Sequence, residues 1–87
     1  MRPEELMGFL RKRPFVPLRI HMTDGHTYEI HHPEVMIVSR SHATIGLRPD
    51  PASGVFEGVE YLGLLHIVRI EELPPIGAAS FPAADSN

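Results

Sequence analysis

Residues 10–25 have the sequence LRKRPFVPLRIHMTDG and carry the clearest structural signals of this 87-residue chain. Three basic residues precede Pro14, an alternating segment follows Pro17, and an Asp-Gly pair ends the stretch. The residue before a proline is disfavoured in the helical region, so a helix leading into Pro14 has to stop there. Alternation of apolar and polar residues is typical of a half-buried strand. The stretch therefore predicts the end of a helix, a corner, one strand and a tight turn.

The residues before this stretch predict a helix over 3–13. Pro3 suits the first helical turn, where its missing N–H removes no hydrogen bond. Acidic residues follow it at the positive end of the helix dipole, and the basic triplet Arg11, Lys12 and Arg13 lies at the negative end. The apolar side chains share one stripe of this helix, formed by Leu6, Met7, Phe9 and Leu10. On this interpretation the basic triplet forms the last turn of the helix.

The register of the first hairpin follows from the parity of its apolar residues. A two-residue Asp24-Gly25 loop would place Ile20 opposite Glu29 and mix apolar and polar residues on each face. A three-residue loop that ends in a left-handed Gly25 instead pairs Ile20 with Tyr28 and makes one face largely apolar. It also sets Arg19 opposite Glu29 on the other face. We favour this register, because a slip of one residue would expose a whole core face.

The remaining segments predict several further short strands. The sequence HHPE at 31–34 bends or ends the second strand, since proline removes a ladder donor. Strands are expected at 35–38, 42–47, 59–62 and 67–71, with the longest loop at 48–58 and a tight turn at 63–66. The predicted fold class is mainly β: an N-terminal helix followed by a small, strongly bent antiparallel barrel of five or six strands, of the Sm-like or SH3-like kind.

Composition limits the possible classes of function. The length suits one domain, expected over 1–73, followed by a flexible Pro/Ala-rich tail at 74–87. The chain has no cysteine and a net charge of −3, so disulfides are excluded and any binding of nucleic acid has to be local. No apolar run approaches the roughly 20 residues of a membrane span, and the mixed charges of the first residues do not match a signal peptide. We expect a cytoplasmic protein without membrane contact.

The same elements resemble the Sm-like superfamily, in particular its bacterial Hfq-like branch. The resemblance lies in the basic helix end at 10–13, the Val16-Pro17 corner, the Asp24-Gly25 turn, and His66 before the last strand. The chain is also similar to short uncharacterised bacterial proteins with Arg-Pro-Phe, Asp-Gly and His-Pro-Glu motifs. Leu65 departs from the family, which has a lysine there that helps to line a uridine pocket.

The resemblance implies a non-enzymatic binding module that forms a ring-shaped homo-oligomer through its strand edges. It further implies single-stranded RNA as a ligand, with Arg11, Lys12, Arg13 and His66 as the nucleic-acid-binding residues. A protein-interaction or assembly module of the same fold, without a nucleic-acid role, is the alternative. The net negative charge and Leu65 favour that alternative.

Six histidines invite a search for a metal site. Only His21, His31 and Glu34 are candidate ligands, because neighbouring strand residues such as His31 and His32 point to opposite faces. We expect no cofactor and no physiological metal. Ser39 and Ser41 neighbour His42 in sequence, but adjacency does not build a nucleophile and base, and a barrel of this size leaves little room for a catalytic pocket. We therefore expect no enzymatic activity.

Overall fold

A computed structural model of the protein describes residues 1–74. The elements are α1 (Pro3–Leu10), β1 (Leu18–Met22), β2 (Thr27–Ile30), β3 (Met36–Val38), β4 (His42–Pro49), β5 (Phe56–Gly63) and β6 (Ile67–Glu72). Two single 3-10 turns, Pro33–Val35 and Leu64–His66, precede β3 and β6. The strands form two antiparallel sheets with the orders β2-β1-β6 and β3-β4-β5.

The prediction of a mainly β chain with an N-terminal helix is confirmed, and residues 1–74 contain six strands. The two sheets do not close into the expected barrel, because no strand of one sheet pairs with a strand of the other within residues 1–74. The interruption falls at the predicted bend: β2 ends at Ile30, the 3-10 turn begins at Pro33, and β3 belongs to the second sheet. The predicted tail lies outside the described residues, apart from Pro74.

Helix α1 is shorter than predicted and ends at Leu10 rather than Arg13. The N–H of Arg2 donates to the carboxylate of Glu5 at 3.0 Å, which satisfies a backbone donor at the helix start. Residues 11–17 then lead to β1, and Phe15 among them packs against the core. The basic triplet therefore follows the helix instead of forming its last turn.

The predicted register of the first hairpin is confirmed. Ile20 pairs with Tyr28, Arg19 pairs with Glu29, and Gly25 has a φ of +88°. The N–H of Gly25 donates to the carbonyl of Met22 at 3.0 Å and closes the three-residue loop. The apolar face of this hairpin lies in the core, as the parity argument requires.

The loop predicted at 48–58 is shorter in the structure, because both strands extend into it. Pro49 still pairs with Phe56, and only residues 50–55 connect β4 to β5. A proline is tolerated at this position since β3 reaches only as far as Ile45, so the other side of β4 has no partner there. The side chain of Asp50 closes the turn by accepting hydrogen bonds from the backbone and hydroxyl of Ser53, both at 2.8 Å.

The core lies between the two sheets and under α1. Among residues 1–74 every buried side chain is apolar. Helix, first hairpin and second sheet all contribute to it, with Leu6, Leu10, Leu18, Ile20, Ile30, Met36, Ala43, Ile45, Leu62, Leu64 and Ile67 buried. Such a small core gives a modest stability, so single changes to backbone conformation are measurable.

Replacing Gly25 by alanine tests the left-handed turn. A Cβ added at Gly25 would meet no atom within 4 Å, so a loss of stability reports the backbone conformation alone. We expect Gly25→Ala to lower the free energy of unfolding by about 1 kcal/mol in urea denaturation, because the left-handed region is unfavourable for alanine.

Gly8→Ala is the matched control, since Gly8 also has open space around it but lies within α1. Alanine should raise the free energy of unfolding there by about 0.5–1 kcal/mol. Equal effects of the two substitutions would contradict the turn geometry.

Candidate functional site

The three side chains of the basic triplet, Arg11, Lys12 and Arg13, differ in the contacts that they make. The Lys12 ammonium pairs with the carboxylate of Glu72 at the end of β6. The Arg13 guanidinium donates to the carbonyls of Leu10 and Lys12 at 2.8 and 2.7 Å, and so caps the end of the helix. Arg11 is the one member whose side chain makes neither an ion pair nor a hydrogen bond within residues 1–74. Two of the three cations therefore serve the fold.

His66, the fourth predicted nucleic-acid-binding residue, lies at the opposite end of β1. Its carbonyl accepts the N–H of Thr23 at 2.8 Å, and its ring Nδ1 lies 3.4 Å from the Thr23 hydroxyl. Lys12, by contrast, pairs with Glu72, which lies opposite Leu18. The strand between these ends is about 17 Å long at roughly 3.3 Å per residue. The four predicted residues thus do not form one surface.

The concave surface beside His66 is not suited to phosphate. A cavity of about 350 Å³ there includes the side chains of Asp24, Tyr28 and Glu60. Its two carboxylates repel anions, and His66 is the only residue in its lining that can carry a positive charge. A second cavity of about 400 Å³ on the other side of His66 is mostly apolar and includes the exposed Leu65. Leu65 thus places an apolar side chain at the surface beside His66.

A different basic surface lies between α1 and β3. Two adjoining cavities of about 370 and 470 Å³ share Met7, Arg11 and Val38. We call them together the α1–β3 groove. Arg40, from the turn between β3 and β4, lines it opposite the helix, and Arg13 lines its other end. Sequence reasoning missed Arg40, because nothing in the local sequence shows that a turn residue 29 positions away meets Arg11.

Two of the three candidate metal ligands are paired with carboxylates. His21 Nε2 lies 3.0 Å from Glu71 Oε1, and His31 Nε2 lies 3.0 Å from Glu29 Oε1. Glu34 lies in the 3-10 turn before β3 and lines the α1–β3 groove. No group of three histidine or carboxylate side chains within residues 1–74 is arranged to hold a metal ion.

An arginine occupies the position between the two histidine–glutamate pairs. The Arg19 guanidinium lies 2.7 Å from the Glu29 carboxylate on one side and 3.5 Å from the Glu71 carboxylate on the other. We call Arg19, His21, Glu29, His31 and Glu71 the Arg19 network. It covers the outer face of the first sheet. The positive charge at the centre of the network is the Arg19 guanidinium, so the carboxylates of Glu29 and Glu71 stabilise a side chain of the protein itself.

The network changes the acidity of both carboxyl groups. Hydrogen bonds from Arg19, and then from His31, hold the pKa of Glu29 below its ordinary value. A hydrogen bond from His21, with the nearby charges of Arg19 and Arg69, lowers the pKa of Glu71. Both groups are partly exposed, so solvent screens these interactions.

The serines beside His42 lie on an exposed turn. The Ser41 hydroxyl is 2.9 Å from His42 Nδ1, whereas the Ser39 hydroxyl donates to the His42 carbonyl at 3.0 Å. Within the part of the chain that the structure describes, no carboxylate lies within salt-bridge distance of the His42 ring. This arrangement lacks the third group that orients the base in a nucleophilic triad.

Comparison with family models, with curated proteins and with solved structures gave no match to this chain. Among residues 1–74 no helix has the length and apolar character needed to cross a membrane.

The Arg19 network predicts a loss of stability in acid. The folded-state pKa values of Glu29 and Glu71 lie below their ordinary value of 4.5, so the unfolded chain takes up protons first as the pH falls. Their contribution is complete above about pH 4.5 and is lost as the pH falls through the lower folded-state values. Melting of a Glu29→Gln/Glu71→Gln variant should therefore occur below that of the wild type at pH 7, with the gap closing towards pH 3.

Glu60→Gln serves as the control, because the exposed Glu60 lies on β5 and makes no ion pair within residues 1–74. Its melting temperature should follow that of the wild type at every pH. A gap between the double variant and the wild type that stays constant with pH would contradict the role of ionised carboxylates.

Proposed function

We propose that this chain is a non-enzymatic, Sm-like binding module that assembles with copies of itself through strand edges and takes another protein as its ligand. The order of elements supports an Sm-like fold: α1 precedes β1, β6 lies beside β1, and His66 ends the 3-10 turn that leads into β6. The free edges of β5 and β6 support self-association. The four predicted nucleic-acid-binding residues do not form one basic surface, which supports a protein ligand over RNA.

The outer edge of β5 carries this proposal. In an antiparallel pair, alternate residues direct their backbone groups to the partner strand and the others direct them away. The N–H of Leu64 donates to the carbonyl of Ser41 at 2.9 Å at the end of the β4–β5 ladder. Counting back by twos, the backbone groups of Leu62 also point to β4, whereas those of Tyr61 and Val59 point away from it. Their backbone groups therefore form an open edge, since β5 pairs only with β4 among the described strands.

The outer edge of β6 offers a complementary set of groups. The N–H of Leu73 donates to the carbonyl of Pro17 at 2.8 Å, beside the β1–β6 ladder. The backbone groups of Glu71 therefore point to β1, whereas those of Glu72 and Ile70 point away from it. β6 pairs only with β1 within residues 1–74. An edge strand with unpaired backbone groups is a template for pairing with another chain.

Side chains beside these edges are apolar and exposed. Tyr61 on β5 is 69% exposed and Val68 on β6 is 61% exposed. Contact between β5 of one copy and β6 of the next would cover both residues and give the unpaired backbone groups of both edges hydrogen-bond partners. The two edges are different surfaces, so the contact is head-to-tail and makes a ring when the rotation closes. A ring removes every free β5 and β6 edge.

A proline at position 59 tests the β5 edge. The N–H of Val59 faces away from β4, so Val59→Pro removes a donor of the edge and leaves the β4–β5 ladder intact. We expect the wild type to form a closed oligomer of more than two subunits at micromolar concentration, and the variant to be monomeric, in native mass spectrometry.

Val59→Thr is the matched control, because it keeps the N–H and the branched shape and should keep the oligomer. A monomeric wild type would contradict self-association. A wild type that stops at a dimer would contradict the head-to-tail contact and favour pairing of two identical edges.

RNA is the ligand that the resemblance implies, and it is tested separately. The net charge of −3 and the internal partners of Lys12 and Arg13 leave few cations for phosphates. We expect U-rich and A-rich oligonucleotides to bind no more tightly at low salt than to a neutral control protein, as measured by fluorescence anisotropy. Salt-dependent binding that Arg11→Ala weakens would instead establish RNA as the ligand.

A further inference from the structure

The outer edge of β3 is open towards the α1–β3 groove. The N–H of Ser39 donates to the carbonyl of His42 at 2.8 Å, which makes these two residues the hydrogen-bonded pair that closes the β3–β4 turn. By the same alternation, Ile37 directs its backbone groups to β4, whereas Val38 and Met36 direct theirs away. Both of these residues line the groove.

Three backbone groups at this edge have no hydrogen-bond partner within residues 1–74. The N–H of Met36 donates to the carbonyl of Pro33. The carbonyl of Met36 and both backbone groups of Val38 are unpaired there. An extended segment lying beside β3 would satisfy them with its own N–H and C=O groups.

The side chains around the edge combine apolar contacts with positive charge. Ile37 is 69% exposed beside Met7 and Leu10 of the helix. Arg11, Arg13 and Arg40 line the groove, together with two glutamates, Glu4 and Glu34. The groove thus carries a positive excess on a chain whose net charge is negative. Its complement is a segment with apolar anchors and carboxylates.

We propose that the α1–β3 groove binds an extended, acidic and apolar segment of a partner protein, which adds to β3 as a short strand. This inference rests on the proposed protein-binding function and names the chemistry of the ligand. Arg11 and Arg40 receive carboxylates from the two sides of the groove. Ile37 packs against an apolar side chain of the segment. Because β3 has only three residues, these side chains supply affinity that a short ladder alone would not.

The same features disfavour a nucleic acid in this groove. None of the residues lining the groove is aromatic, so bases have nothing to stack on. A sugar-phosphate chain also lacks the evenly spaced donors and acceptors that the carbonyl of Met36 and the amide of Val38 require. An extended peptide provides both.

The test starts from selection of random displayed dodecapeptides on the whole chain, followed by titration of the synthetic peptides. We expect the selected peptides to alternate apolar residues with Asp or Glu. Arg11→Glu/Arg40→Glu should weaken binding by about tenfold, as expected for the loss of two exposed ion pairs. Ile37→Ser should weaken it several-fold, and bound peptide should slow hydrogen exchange of the Val38 amide.

Matched controls exist for both kinds of change. Arg48 lies near the far end of β4 and its side chain is 72% exposed, so Arg48→Glu reverses one arginine charge outside the groove, as each half of the double variant does within it. Leu65 is 88% exposed in a different cavity, so Leu65→Ser removes an exposed apolar side chain elsewhere. Both control variants should bind the selected peptides as the wild type does.

The possible failures are distinguishable. Selection of no acidic peptide, or equal weakening by Arg48→Glu, would overturn the groove proposal while leaving the Val59→Pro test of assembly unaffected. Peptide binding without protection of Val38 would overturn strand addition. Oligonucleotide binding that depends on Arg11 and Arg40 would overturn the protein ligand itself, because RNA would then be the occupant.

Discussion

The register of the β1–β2 hairpin is the constraint on which the rest of this structure depends. A left-handed Gly25 makes the loop three residues long and places Ile20 opposite Tyr28. That parity sends the apolar side chains of β1 into the core and Arg19 to the outer face. It also decides which backbone groups of β1 face β2 and which face β6. A slip of one residue would expose the core face and bury a guanidinium.

The hairpin was predictable from sequence because its signals are local and of period two. Parity of the apolar residues, an Asp-Gly pair and one arginine opposite one glutamate all indicated the same register. The bend at Pro33 was predictable for a similar reason, since proline acts on its own backbone and that of its neighbour. These features need no knowledge of distant residues.

The parts that were not predicted depend on residues far apart in the chain. Helix α1 ends before Arg11, and the segment after it packs Phe15 against the core, a contact that no helical propensity reveals. The β4–β5 hairpin extends into a segment rich in turn residues because Pro49 lies where β4 has no second partner. In the candidate site, Arg11 and Arg40 line the same groove only because the fold brings these distant positions together. The ion pair between Lys12 and Glu72 also occupies a cation that the sequence analysis treated as available.

The positions of the exposed apolar residues connect the size of the fold with its proposed role. A small core leaves little surface to spare, and the described residues nevertheless expose Ile37, Tyr61 and Val68 extensively. Each of the three lies on an edge strand whose outward backbone groups are open: β3, β5 and β6. Five of the seven large exposed apolar residues among residues 1–74 lie on these edge strands, and the other two, Val55 and Leu65, lie in turns. The coincidence fits a module whose sheets are completed by other chains, with copies of itself at β5 and β6 and a partner segment at β3.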